Sequence, residues 1–150
     1  MIYIASDHGG FELKEKIIGF LEHKGILVSN KGPFTYDLND DYPDYVAPVI
    51  SKMREDPGSK AIFLCRNGVG VSVLANKFKG IRAALSWNTE HARSSRNDDD
   101  SNVLALPSDH LSEEQAFNIV AAWLDTPFSN EERHIRRLEK VKNLEESAHG

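Results

Sequence analysis

Five short apolar runs, each followed directly or after a loop by a segment with helical spacing, constrain this chain more than any other feature. The runs fall at residues 2–5, 26–28, 61–64, 81–85 and 102–106. The first is apolar throughout, as expected of a strand covered on both faces. After it, Leu13, Ile17, Phe20 and Leu21 lie on one stripe of a helix predicted from about Phe11 to Lys24, with Gly25 as its stop. A second helix opens at Tyr42-Pro43-Asp44-Tyr45, buries Val46, Val49, Ile50 and Met53, and ends at Pro57-Gly58. Further helices are predicted to about Lys79, from Asn88 or Thr89 to about Arg96, from Ser112 with Phe117, Val120, Ala121 and Leu124 inward, and from near Asn130 to about Leu144. Such alternation calls for a parallel sheet joined by right-handed crossovers. The expectation is a Rossmann-like, three-layer α/β/α fold with a five-stranded parallel sheet. At 150 residues, 40% hydrophobic and 27% charged, the chain fits one globular domain.

Ligands in such sheets bind beyond the carboxyl ends of the strands. Three polar loops fall there: Asp7-His8, Cys65 to Gly70 and, less directly, Asn30 to Asp41. The second holds the only cysteine, placed where an apolar run gives way to two closely spaced glycines and a helix. A strand turning into a helix leaves backbone N–H groups unpaired, and with the helix dipole they form a site for an anion. A thiol there would gain from the same field. The alternative is a cysteine that merely fills the core.

Other function classes are disfavoured. A net charge of −5 offers no basic field for nucleic acid. No run approaches the roughly 18 apolar residues of a membrane span, and Met1 to Ala5 is too short an apolar run, without a basic leader, for a signal peptide. One cysteine suits a reducing, cytoplasmic setting. No metal-ligand spacing is present. His23 and His149 fit a solvated surface, and Trp87 and Trp123 fit packing roles.

Several motifs occur in order: Ser6-Asp7-His8-Gly9-Gly10-Phe11-Glu12-Leu13-Lys14, Asp41-Tyr42-Pro43-Asp44-Tyr45, Cys65-x-x-Gly68-Val69-Gly70 and Ala75-Asn76-Lys77-x-x-Gly80-Ile81-Arg82-Ala83-Ala84. Asn102-Val103-Leu104-Ala105-Leu106 and Arg133-His134-x-x-Arg137 follow. This ordered set, over about residues 2 to 142, resembles the type B ribose-5-phosphate isomerases, in a superfamily shared with galactose-6-phosphate isomerases. The resemblance implies interconversion of ribose 5-phosphate and ribulose 5-phosphate through a cis-enediol, without a metal or other cofactor. It also implies a homodimer or dimer of dimers whose sites draw on both chains, with the C-terminal helix packing on a partner. Carried over by position, Cys65 is the catalytic base. Gly68 and Gly70 hold the enediolate, Asp7 and His8 contact sugar and phosphate, Tyr42 lines the sugar pocket, and Arg133 and Arg137 bind phosphate. The chemistry is consistent: the reaction needs a base and donors for an oxygen that becomes negative. Arg133 and Arg137, four apart, share a helix face. The alternative for these arginines is a solvated charged face.

Two departures stand out. Arg66 and Asn67 occupy positions where the family has small residues. Asn67 can still donate to a sugar or enediolate oxygen, as part of an Asn67 to Gly70 turn that includes Val69. Arg66 adds fixed positive charge beside Cys65. Before Asn102, the family's ring-opening histidine and its asparagine neighbour are replaced by Asp98 and Asp99. Asp98 is the expected ring-opening residue, Asp99 a substrate contact, and His91 and His110 are possible stand-ins. Three adjacent carboxylates, Asp98 to Asp100, would repel a phosphate lying close to them. Two other functions stay open: isomerisation of a six-carbon sugar phosphate such as allose or galactose 6-phosphate, and sugar-phosphate binding without turnover.

Overall fold

A computed structural model describes the backbone of residues 1–149 and the side chains of residues 1–148; His149's expected surface position lies outside the described side chains. Strands β1 (Ile2–Ser6), β2 (Val28–Asn30), β3 (Lys60–Cys65), β4 (Ala83–Leu85) and β5 (Val103–Pro107) form one sheet in the order β2-β1-β3-β5-β4. Every pairing is parallel. Helices α1 (Phe11–His23), α2 (Pro43–Glu55), α3 (Val69–Ala75), α4 (Thr89–Asp99), α5 (Glu113–Asp125) and α6 (Glu132–His149) complete the chain. The Rossmann-like expectation holds.

Alternation along each strand divides the core in two. Ala61, Phe63 and Cys65 of β3 pack with Val46, Val49, Ile50 and Met53 of α2 and Val71 and Ala75 of α3. Ile62 and Leu64 face the opposite layer, with Ile17 and Leu21 of α1, Ala92 of α4, and Ile119, Val120 and Trp123 of α5. Parity therefore puts the Cys65 sulfur on the α2/α3 side.

Several boundaries differ from the sequence expectation, each for a local reason. β2 starts at Val28 rather than Ile26, because the Ile26 N–H closes α1 by donating to Leu21 O (2.9 Å). β4 starts at Ala83 because Ile81 N–H is turned back to Phe78 O, while Arg82 N–H donates to Asn102 Oδ1 (2.8 Å). α3 stops at Ala75; Asn76 instead brackets Ala83, accepting from its N–H (2.8 Å) and donating to its carbonyl (3.0 Å). α4 runs to Asp99 rather than Arg96. Buried Arg96 donates to Asp100 Oδ1 (2.7 Å) and Ser101 O (2.6 Å), which holds the last turn closed. On α5 the buried stripe is Ala116, Ile119, Val120, Ala122 and Trp123, rotated from the expected one. Trp123 is a packing group, its Nε1 donating to Ser101 Oγ (2.8 Å), whereas Trp87 is exposed and stacks on His91.

Candidate active site

β3 delivers Cys65 to the carboxyl edge of the sheet, opposite Pro107 of β5. The residue is 5% exposed. Its Sγ lies 3.8 Å from Asn67 Oδ1, which also accepts the Val69 N–H (3.0 Å). The asparagine oxygen is thus committed to the turn itself, leaving Nδ2 without a partner among the described residues. Gly68 has φ 72°, and a Cβ there would lie 2.5 Å from Leu85 Cδ1 and 3.0 Å from Pro107 N, so no other residue fits unstrained. Among the described residues the N–H groups of Gly68, Gly70 and Val71 have no acceptor, as expected at a helix start, while Val69's is spent on Asn67. The exposed Val69 side chain faces outward from the same turn. The Tyr42 ring covers Gly70: a Cβ on that glycine would sit 2.6 Å from Tyr42 Cζ and 2.9 Å from its hydroxyl. One turn therefore gathers the sulfur, three free donors and a phenol.

The loop after β1 interlocks with this turn. A Cβ on Gly9 would lie 2.4 Å from Arg66 Cγ. Arg66 crosses to Asp109, with Nη1 3.6 Å from Oδ1, and its carbonyl accepts the Asp109 N–H (2.9 Å). A cavity of about 600 Å³ opens here, lined in part by His8, Gly9, Tyr36, Arg66, Ser108 and Asp109. Cys65 is not part of this lining. His8 Nδ1 lies 2.7 Å from Asp40 Oδ1, which also accepts the His8 backbone N–H (2.8 Å). Sequence reasoning had missed Asp40, Ser108 and Asp109. Ser108 and Asp109 sit in a short 3-10 helix directly beyond β5, and their place after a strand's carboxyl end was the available signal. Asp40 lay hidden among neighbouring aspartates, Asp37, Asp41 and Asp44.

Asp7 is 8% exposed, and its Oδ1 accepts the Gly10 N–H (3.3 Å). Burial raises its pKa, opposed by the backbone hydrogen bond from Gly10. A raised folded-state value means that folding favours the protonated acid. The stability this confers is complete below the unfolded value of about 4 and is lost as pH climbs through the folded value. Asp7→Asn, which keeps the acceptor for Gly10, is therefore expected to raise Tm at pH 7, by roughly 2–4 °C for each kcal/mol recovered. The gain should vanish below about pH 4; thermal melts at both pH values test it.

The remaining expected site residues lie elsewhere in the chain. Asp98 Oδ1 accepts from Asn97 Nδ2 (2.7 Å) and stands 3.8 Å from Nε2 of buried His134 on α6. Asp99 is exposed, and its carbonyl accepts from Arg82 Nε (3.1 Å). Asp100 is held by Arg96 and Arg82. The three carboxylates are thus parted, in the last turn of α4 and its cap rather than beyond a helix ending near Arg96. Arg133 is exposed and paired with Glu131 (3.0 Å); Arg137 is exposed, with no ion-pair partner among the described residues. Within one chain, neither α4 nor α6 contributes to the cavity beside His8. Of the possible stand-ins, His91 bonds Ser86 Oγ (2.9 Å) under Trp87, and His110 is exposed at the end of the 3-10 helix beyond β5.

Residues 2–141 match the Ribose/Galactose Isomerase family. The chain is 43% identical over 140 residues to the probable ribose-5-phosphate isomerase B of Mycoplasma pneumoniae, covering 93% of this chain and 91% of that one. The crystal structure of a ribose 5-phosphate isomerase from Thermotoga maritima superposes with a TM-score of 0.90 at 42% identity, covering 95% of this chain and 97% of the other. That of ribose-5-phosphate isomerase B from Mycoplasma genitalium with bound ribulose-5-phosphate does so with a TM-score of 0.92 at 38% identity, covering 97% and 95%. A match of this extent to one family, joined to the fold and motif order above, settles membership: the chain belongs to the ribose/galactose isomerase family.

Proposed function

We propose that this protein interconverts ribose 5-phosphate and ribulose 5-phosphate. The observation that carries the reading is the Cys65 turn, where a sulfur stands beside the unpartnered N–H groups of Gly68, Gly70 and Val71. The Cys65 thiolate takes the proton from C2 of the open-chain aldose. The electron pair passes through the forming C1–C2 double bond to the carbonyl oxygen, which becomes the enediolate oxygen. The free N–H groups and Asn67 Nδ2 stabilise that charge. Returning the proton to C1, while a proton moves from O2 to O1, leaves the ketose. Freeing the sulfur for this exchange means giving up its contact with Asn67 Oδ1. Tyr42 and Val69 bound the sugar, Asp7 and Arg66 contact it, and His8 faces the phosphate.

Asp98, Asp99, Arg133 and Arg137 sit away from Cys65 in the same chain, so a complete site takes them from a second copy. A homodimer places the arginines on the phosphate and Asp98 and Asp99 at the ring, with Asp98 assisting ring opening. α6 then packs on the partner as part of one sugar-phosphate isomerase domain acting in the cytoplasm. Its exposed Ile135, Val141 and Leu144 suit that role.

Turnover by the purified protein tests the reading. The kcat/KM for ribose 5-phosphate is expected to exceed that for allose 6-phosphate and galactose 6-phosphate by at least about tenfold, since a pocket fitted to five carbons pays to admit a sixth. The reverse order would make it a six-carbon isomerase. Ligand-induced thermal stabilisation without turnover would make it a binding protein.

A further inference from the structure

We propose that Asp40 is a positioning residue, which fixes the ring orientation and tautomer of His8 for substrate binding; the role at substrate rests on the isomerase reading above. The Asp40 side chain is 5% exposed, and its Oδ1 takes two hydrogen bonds, both from His8: the backbone N–H at 2.8 Å and ring Nδ1 at 2.7 Å. The other oxygen, Oδ2, is buried with no hydrogen-bond partner among the described residues. A buried carboxylate with one oxygen outside those two bonds carries a desolvation cost, which the two His8 contacts help to offset. Tyr45 lies near enough that the Asp40 charge and a side-chain hydrogen bond to Asp40 add to burial in raising the tyrosine's pKa. Both hydrogen bonds that Oδ1 accepts therefore come from His8.

An ionised carboxylate only accepts, so the bond at Nδ1 must be Nδ1–H to Oδ1. Neutral His8 then has its proton on Nδ1 and a lone pair on Nε2; the protonated ring offers Nε2–H. Tyr36 meets the same ring edge to face at a centroid distance of 6.3 Å, limiting its rotation. His8 lines the cavity, and its Nε2 has no hydrogen bond among the described residues. Asp40 and Tyr36 thus hold one ring nitrogen and leave the other for ligand. The sequence separation of 32 residues between the partners means that the loop before α2 must be in place before His8 is oriented. This arrangement parallels the carboxylate–histidine pairs that orient metal-ligating imidazoles, here with a sugar phosphate in place of the metal.

Steady-state kinetics with ribose 5-phosphate and imidazole ¹⁵N spectra of the free protein test this on the wild type, Asp40→Ala and Asp40→Asn, with His8→Gln used only to assign the resonance. Asp40→Ala is expected to raise KM about tenfold while kcat stays within about twofold. Asp40→Asn, which retains an oxygen acceptor, should recover most of that loss. Neutral His8 should be protonated at Nδ1 in the wild type and become a tautomer mixture in Asp40→Ala. An Nε2-protonated neutral ring in the wild type, or an unchanged KM in Asp40→Ala, overturns the assignment. Should Asp40→Ala not fold, the wild-type and Asp40→Asn spectra still decide. Absence of turnover in the wild type would instead refute the isomerase reading, leaving the spectra to judge Asp40 alone.

Discussion

Cys65→Ala is expected to lower kcat on ribose 5-phosphate by about a thousandfold, within the range for removing a general base, while KM changes little. The expectation follows from where the sulfur sits. It ends a central strand and leans on a turn in which the N–H groups of Gly68, Gly70 and Val71 lack acceptors among the described residues, so the proposed proton acceptor and the proposed donors for the developing oxyanion are held by one rigid segment. Alanine removes the first and leaves the second intact. Binding, which depends on the donors and the phosphate contacts, should therefore survive. The substitution removes one buried atom from a well-packed layer and should cost about 1 kcal/mol of stability, too little to unfold the chain. Cys65→Ser should not restore turnover, because a hydroxyl without a partner base is a far weaker proton acceptor than a thiolate. Exchange of the C2 hydrogen of ribose 5-phosphate with deuterated solvent isolates the step: the wild type should catalyse it, and Cys65→Ala should not. Equal exchange rates would remove the sulfur from the chemistry.

The layered architecture and the Cys65 turn could be read from the chain because each rests on local pattern. The apolar runs are short and separated by helical stripes, and in a parallel sheet that order leaves few arrangements. Val46, Val49, Ile50 and Met53 lie where their spacing placed them. What could not be read depended on partners distant in sequence. Lys14 falls on the α1 face beside Ile17 and Leu21, and a lysine there suggests solvent, yet it is wholly buried because Asn30 and Glu15 receive its ammonium. The sequence pattern puts Asp98 beyond a helix ending near Arg96, but α4 continues to Asp99, anchored by a guanidinium whose acceptors include Thr126 O, 30 residues away (3.2 Å), and Asp98 Oδ1 comes within 3.8 Å of His134 Nε2. Asp40 is one acidic residue among several in its loop, and nothing local marks it as the one that meets His8. In each case the deciding bond joins segments whose approach is fixed by the assembled sheet, not by neighbouring residues.

Two inactive variants should together recover activity if, as proposed, each site is shared between two chains. The double variant Arg133→Ala/Arg137→Ala is expected to lose about a thousandfold in kcat/KM, since each guanidinium can make charge-assisted bonds to a phosphate. Cys65→Ala alone is similarly impaired. The two lesions lie on opposite parts of the chain: the sulfur at the end of β3, the arginines on an exposed stretch of α6 that does not line the cavity beside His8. In a two-fold dimer whose sites combine β3 of one copy with α6 of the other, subunit exchange at equal amounts makes half the dimers mixed. Each mixed dimer has one site with both the sulfur and the arginines and one with neither, so about a quarter of wild-type activity should return. If sulfur and arginines instead met within a single chain, every site in a mixed dimer would lack one or the other, and mixing would restore nothing. A mixture that stays inactive, although exchange is confirmed by tagging one variant, would place the arginines outside the partner's site and make them part of the solvated face of α6.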